Sequence, residues 1–436
     1  MTQMSLFDGT QKFTINKPIR LIELFAGYGS QHFALEYLGI PFESWRICEW
    51  AVKSIQAYKD LHFGDDDTDY SKDMEYEEIV KFLAHKGISA NYDEPMTEKQ
   101  IRHLGENKCR QIYNNIRATH NMVNVMQVHA EDLDIVDTDK YCYMLTYSFP
   151  CQDLSRAGYQ KGMSRDSGTR SGMLWQVERI LDECTELPQV LVMENVPDVI
   201  GTKNISHFAE WAQKLESLGY HNYWKVLNAK HYGVPQSRER CFMVSVLGDY
   251  YYEFPNNNSI DVVLQDIVEQ QVDEKYYLPP DFLKKTILRS EEYKQKNFSG
   301  DKSSMISGFT TRQENLWCSA MLARCDNFYG VDDNVYKDVI GTFNYDTSDN
   351  FMRNKSRFTE KCDIFPCLTT VQRQGIVFDN YKVRKLTPRE SWRLMGVKDE
   401  DFDKIANTQS GSSLNHLAGD SIVVNVLMAI FKPMFE

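Results

Sequence analysis

The chain is predicted to be an α/β protein, with a doubly wound, mostly parallel sheet followed by a second, smaller and irregular domain. Three observations predict this. Short apolar runs alternate with amphipathic helical segments up to about Tyr250, the pattern of parallel crossovers. The first run ends in a glycine turn that opens a helix, and in such sheets ligands collect at the carboxyl ends of the strands. After Tyr250 the periodicity lapses and Asn, Asp, Lys and aromatic residues dominate until about residue 380. The 436 residues leave room for two or three domains, and 42% hydrophobic content is enough for a sizeable core.

Residues 21–25 read as the first strand, followed by Ala26-Gly27-Tyr28-Gly29-Ser30 and a helix over 31–38 that Gly39 and Pro41 stop. Further strand candidates are 46–48, 143–147, 190–193, 223–227 and 241–247, with amphipathic helices over 174–184 and 205–218. Residues 60–119 interrupt the rhythm. They carry the acidic run Asp65-Asp66-Asp67-Thr68-Asp69 and are read as a solvated insertion. Clear periodicity resumes at 386–395, and 421–431 is an apolar helix. The expected organisation is one domain from 18–250 plus 385–436, containing the 60–119 insertion, and a second domain over 251–384.

Charge and cysteine usage exclude several classes. With 49 basic and 62 acidic residues the net charge is −13. A nonspecific polycation is therefore excluded, and any nucleic-acid site must be a local basic groove. No window approaches 18 uninterrupted apolar residues, so no membrane-spanning helix is expected. The polar residues 1–20 lack the apolar stretch of a secretion signal. The ten cysteines form no CxxC pair, which speaks against a zinc site or disulfide framework and for reduced thiols in a cytosol.

Four segments carry chemistry. Gly27 and Gly29 let backbone approach a ligand closely, although His32 stands where a dinucleotide pattern needs a third glycine. Glu49 ends the next strand, placed to bind ribose hydroxyls; together they suggest an adenosine-type cofactor. Ser148-Phe149-Pro150-Cys151-Gln152 ends a strand, and Arg156, Lys161 and Arg165 would help stabilise a Cys151 thiolate, while a structural thiol is the alternative. The glycines at 158, 162, 168 and 172 suit a lid over a polyanion. Glu194 in Met193-Glu194-Asn195-Val196-Pro197 sits at the same edge and can protonate or hydrogen-bond a ring nitrogen, or cap a helix. Arg238 and Arg240 in Gln236-Ser237-Arg238-Glu239-Arg240 share a face if extended and suit phosphates or carbonyl oxygens, or form a surface charge cluster.

The order FAGxG, EW, PCQ, ENV, QxRxR and a late GDS resembles the C5-cytosine-specific DNA methyltransferase family of bacteria and phages, over nearly the whole chain. The stretch 145–155 with 160–163 and 167–172 is similar to the mollicute CG-specific subgroup. The resemblance implies a class I S-adenosylmethionine-dependent methyltransferase fold, with a target-recognition domain in the irregular segment. It implies S-adenosyl-L-methionine as methyl donor, S-adenosyl-L-homocysteine as product, and no metal. It implies that Cys151 adds to C6 of a flipped-out cytosine, that Glu194 binds N3 and the exocyclic amine, that Arg240 holds O2, and that Arg238 supports the loop or a phosphate.

For the donor, the resemblance implies contacts from Phe25, Gly27, Tyr28, Gly29, Glu49, Trp50, Pro150, Leu174, Asp420 and Ser421, with Asp132 and Leu133 as the adenine-reading pair. Gly419-Asp420-Ser421 departs from the family's usual Gly-Asn-Ser. Gln152, Ser155 and Gln236 are expected at the substrate. Pro366-Cys367-Leu368-Thr369-Thr370 is similar to the element that ends the recognition region. Arg312, Arg353, Arg357 and Arg373, with Gln313 and Gln372, are candidates to read bases, with surface solvation as their alternative.

The expected partner is double-stranded DNA, with no membrane, a monomeric state and a cytoplasmic location in a bacterial cytosol or nucleoid. A cognate restriction endonuclease, where one exists, is another chain. Two other readings use the same fold: an RNA cytosine methyltransferase, against which the long variable segment argues, and a catalytically inactive DNA-binding homologue, against which intact PCQ, ENV and QxRxR argue. A cysteine hydrolase would need a histidine motif that the sequence lacks.

Overall fold

The computed structural model describes residues 10–150, 170–279, 339–344, 358–360, 364–368, 374–378 and 383–436. Six strands form its main sheet: β1 (Ile19–Leu24), β2 (Phe42–Cys48), β3 (Cys142–Tyr147), β4 (Val190–Asn195), β5 (Tyr220–Asn228) and β6 (Glu239–Leu247). Their order is β2-β1-β3-β4-β6-β5. Each apolar run read from the sequence overlaps one of these strands, the first ending at Leu24 and leaving Phe25 to the turn. The pairs from β2 to β4 are parallel, whereas β6 runs antiparallel to both β4 and β5. The chain therefore reverses from β1 to β3 at the centre of the sheet, with β2 on the far side of β1, and this switch point is where ligand crevices open.

Alternation along the strands explains why both faces are covered. Leu21 of β1 and Val190 and Val192 of β4 point into one core, while Ile22, Leu24, Leu191 and Met193 point into the other. The first core is closed by α1 (Ser30–Tyr37) and by two helices from the chain's end, α10 (Gly411–Gly419) and α11 (Val424–Phe431). The second is closed by α6 (Leu174–Glu183) and α7 (Ile205–Ser217). The fold is thus doubly wound, and the C-terminal segment packs beside the first helix. Residues Gly411–Met434 have the length and hydropathy of a membrane span, but 67% of that window is buried in the protein and the stretch is two helices parted at Asp420.

The 60–119 segment departs from its reading as a solvated insertion. After α2 (Val52–His62), the acidic run is indeed largely exposed. Beyond it, α3 (Tyr76–Lys86), α4 (Glu98–His103) and α5 (Glu106–Ala118) enclose a separate core of Ile79, Val80, Leu83, Ile101, Ile112 and Ile116. The apolar spacing on α3 and α5 follows the helical period, and Ile55 of α2 and Val123 complete that core from the main domain.

Within 251–384 a small antiparallel sheet is present, of β7 (Val339–Asn344), β8 (Phe358–Glu360), β9 (Gln374–Phe378) and β10 (Val383–Lys385), in the order β8-β7-β9-β10. Two further helices, α8 (Pro388–Arg393) and α9 (Asp399–Ile405), follow it. The enclosed guanidinium of Arg384 on β10 pairs with Glu390 of α8 at 2.6 Å, joining this sheet to the C-terminal segment.

Candidate active site

At the end of β1 the chain makes its turn in left-handed backbone. Phe25, Gly27 and Gly29 have φ of 59°, 57° and 86°. The two glycines differ. A Cβ on Gly29 would lie 2.4 Å from His62 Nε2 and 2.8 Å from Tyr58, whereas a Cβ on Gly27 would meet only Ser421 Oγ at 3.6 Å. Gly29 is required by packing beneath the turn, and Gly27 leaves an open outer face. Burial holds His62 near pKa 3 and hence neutral; its Nε2, 2.8 Å from the Tyr28 carbonyl, carries the proton, because a carbonyl only accepts.

Glu49, just past β2, closes this corner. Its two oxygens accept from the amides of Gly27 (3.0 Å) and Ala51 (2.7 Å). Burial pushes its carboxyl up to about 7, against those amides and with Asp420 adding to the rise. Its backbone is gripped by Asn121, whose Oδ1 accepts from Glu49 N at 3.0 Å and whose Nδ2 donates to Glu49 O at 2.9 Å. Val123 nearby has φ of 74°, costly for a β-branched residue. Asn121–Val123 thus borders Glu49, and nothing in the sequence marked it. Tyr92 of the insertion reaches the same corner: its ring meets that of His416 at 4.6 Å, and Glu49 and Asp420 both help raise its pKa.

The second half of the site lies where β4 meets β6. Arg240 Nε is 3.0 Å from Glu194 Oε1, and both side chains are mostly buried. Burial pushes the Glu194 carboxyl up, opposed by Arg240 and Arg238. Asn195 Nδ2 donates to the Phe149 carbonyl at 2.9 Å, so the chain leading to Cys151 starts beside Glu194. Cys151, Gln152, Ser155, Arg312, Arg353, Arg357 and Arg373, like Gln313 and Gln372, lie outside the described residues.

Arg238 is 4% exposed and donates to the carbonyls of Leu368 (3.1 Å), Gly419 (3.1 Å) and Ser421 (2.7 Å). Of its two expected duties, loop support matches this placement; a phosphate contact does not, since the guanidinium is enclosed and bonded to protein. Asp420 between those carbonyls keeps exposed surface yet is crowded by protein, and loss of solvation lifts it to about 6 against the pull of Arg238 and Arg240. Ser421 Oγ donates to the Leu417 carbonyl.

The other expected contact residues differ in how much surface they leave open. Gln236 is fully enclosed, with Nε2 on the Leu394 carbonyl and Oε1 on the Leu368 amide, and has no surface for substrate. The Tyr28 side chain is buried against Trp392 at 4.5 Å. The side chains of Leu133 and Leu174 lie wholly inside the second core, so neither offers a face to an adenine ring. Asp132 uses Oδ2 to cap its own helical turn on His129 N and is tied through its carbonyl to Arg46, near the carboxyl end of β2, where it helps raise the pKa of Cys48. Trp50 is half-buried against the insertion's core, while Phe25 and Pro150 are half-buried at the strand ends.

The residues fit an adenosine-sulfonium donor on structural grounds. Gly27 presents open backbone at a strand-to-helix turn, and Glu49 stands beside it as an acceptor at the end of the next strand.

A family model described as C-5 cytosine-specific DNA methylase matches residues 85–436. The chain is similar to the type II methyltransferase M2.ScrFI of Lactococcus lactis subsp. cremoris, 33% identical over 420 residues that cover 96% of this chain and 99% of that one. It is also similar to the orphan methyltransferase M.SssI of Spiroplasma monobiae, 36% identical over 296 residues, 66% of this chain and 74% of the relative. Its fold is similar to the solved structure of the Entamoeba histolytica methyltransferase EhMeth, with a TM-score of 0.53 at 15% identity, over 96% of this chain and 98% of that one.

Proposed function

The chain belongs to the C-5 cytosine-specific DNA methylase family and is a DNA cytosine-5 methyltransferase of class I fold; from that premise we propose that it methylates a flipped-out cytosine within one defined site of duplex DNA, using S-adenosyl-L-methionine. When bound, that donor supplies an electrophilic methyl group on a sulfonium. Gly27 and the turn around it, Glu49, Asn121–Val123 and Asp420–Ser421 would hold it.

The chain's own residues divide the rest of the work. The Cys151 thiolate adds at cytosine C6, which makes C5 nucleophilic; loss of the C5 proton after transfer expels the thiolate again. Glu194, biased by burial toward its protonated form, hydrogen-bonds ring N3 and the exocyclic amine and keeps charge off the ring during addition. Arg240, held by Glu194, donates to the O2 carbonyl. Arg238 acts through others: it fixes the 419–421 turn against the 364–368 segment. Extruding the base costs a few kcal/mol, recovered from contacts to DNA.

We assign residues 251–384 to target recognition and the chain's role to DNA self-protection, in a restriction–modification pair or in a phage. The similarity to both a type II and an orphan methyltransferase supports either setting. The observation that carries the reading is the Glu194–Arg240 pair at 3.0 Å beside the strand that leads into Cys151. Bisulfite sequencing of DNA from cells expressing the chain tests it: 5-methylcytosine in one sequence context is expected. Unmodified DNA, or label from the donor appearing in tRNA and not in duplex DNA, overturns it.

A further inference from the structure

The donor corner holds more acid than its pairing explains. Glu194 is matched by Arg240. Both oxygens of Glu49 are taken by backbone amides. Arg238 is turned onto three carbonyls. Asp420 is different: its amide closes α10 on the His416 carbonyl, while its carboxylate has no hydrogen-bond partner among the described residues and the residue is exposed. It stands close enough to Glu49 and Glu194 to raise the pKa of each, and to Tyr92. Glu194 and Asp420 thus share the pull of the two guanidiniums, and Asp420 is the exposed one of the three carboxyls. Its place is fixed, because Arg238 grips the carbonyls of both its neighbours, Gly419 and Ser421, and Ser421 Oγ sits over Gly27.

We propose that Asp420 sets the charge preference of the donor pocket, favouring the cationic methyl donor over the neutral thioether left after transfer. This inference rests on the donor reading given above. Reactant and product share adenosine and the amino acid and differ in one positive charge. Contacts to ribose or adenine cannot tell them apart, whereas an open carboxylate can. A single charge–charge interaction in a partly solvated cleft is worth roughly tenfold in affinity. The consequence is that S-adenosyl-L-homocysteine competes less well against the donor and inhibits it less.

The test needs no turnover. Calorimetric affinities are measured for S-adenosyl-L-homocysteine and for sinefungin, whose ammonium replaces the sulfonium, with the wild-type chain, Asp420→Asn, Asp420→Glu and Glu49→Gln. Asp420→Asn is expected to lower the preference for sinefungin about tenfold, mainly by weakening the cationic ligand, and Asp420→Glu to keep it. Glu49→Gln should weaken both ligands by the same factor. An unchanged ratio in Asp420→Asn, or an equal fall in Glu49→Gln, overturns the proposal. Failure of the wild-type chain to bind either ligand overturns the donor reading itself, and this inference with it, before any variant is compared.

Discussion

The two halves of the site are built from different materials. On the β1–β2 side the contacts are backbone: a turn in left-handed conformation, with its amide at Gly27 held by Glu49. On the β4–β6 side they are side chains that reach across the molecule; Arg238 bonds to a carbonyl 130 residues away and to another 183 away. Local turns form from a handful of neighbouring residues, and a buried guanidinium with five donors can fasten segments that never meet otherwise. The donor corner therefore depends on conformation, and the base corner on charge and reach.

The sharpest way to break this contrast is Cys151→Ser. Methyl transfer should fall by roughly 10^4-fold or more, while donor affinity, set at the other corner, stays unchanged. A labelled-methyl assay beside calorimetry checks both halves of that statement. Next come the two arginines. Arg240→Ala should lower kcat/KM by about 10^2–10^3-fold. Arg238→Met should instead cost about 3 kcal/mol of stability, because three buried carbonyls lose their donor. Steady-state kinetics and urea denaturation of both variants separate them, and equal effects on stability would erase the distinction between the two arginines.

The glycines give a smaller effect. Gly29→Ala should cost about 2 kcal/mol, and Gly27→Ala about half as much, since only the first meets protein atoms at contact distances no Cβ tolerates. Thermal unfolding of the two variants checks this. The smallest effect is a pH dependence. Between 4.5 and about 7 the folded Glu49 keeps a proton that the unfolded chain has released, so its contribution to stability falls as pH rises through that window. Glu49→Gln should remove roughly 1–3 kcal/mol of that fall, read from denaturation midpoints at the two ends of the window.

Much of the site was legible because each piece is local. The glycine turn, Glu49, Glu194 and the two arginines sit at ends of apolar runs, and run ends are where sheet edges fall. What escaped did so for physical reasons. Asn121, which grips the Glu49 backbone, was missed, because an asparagine after a helix carries no periodic signal. Gln236 and Arg238 read like their half-buried neighbour Arg240, because alternation in a short extended piece does not say how deeply each side chain is covered. The insertion looked solvated from its acidic run, but its core comes from later helices and from Ile55.

The sequence by itself determined where the six strands lie, that both faces of the sheet are apolar, and where the backbone turns sharply. These follow from residue periodicity and turn chemistry within a few positions. Only the tertiary structure decided that β6 enters the sheet antiparallel between β4 and β5, that the insertion's Tyr92 meets His416 at the donor corner, and that Asp420 stands near Glu49. Strand direction and long-range contact depend on how whole faces bury against one another, and no short stretch of residues carries that information.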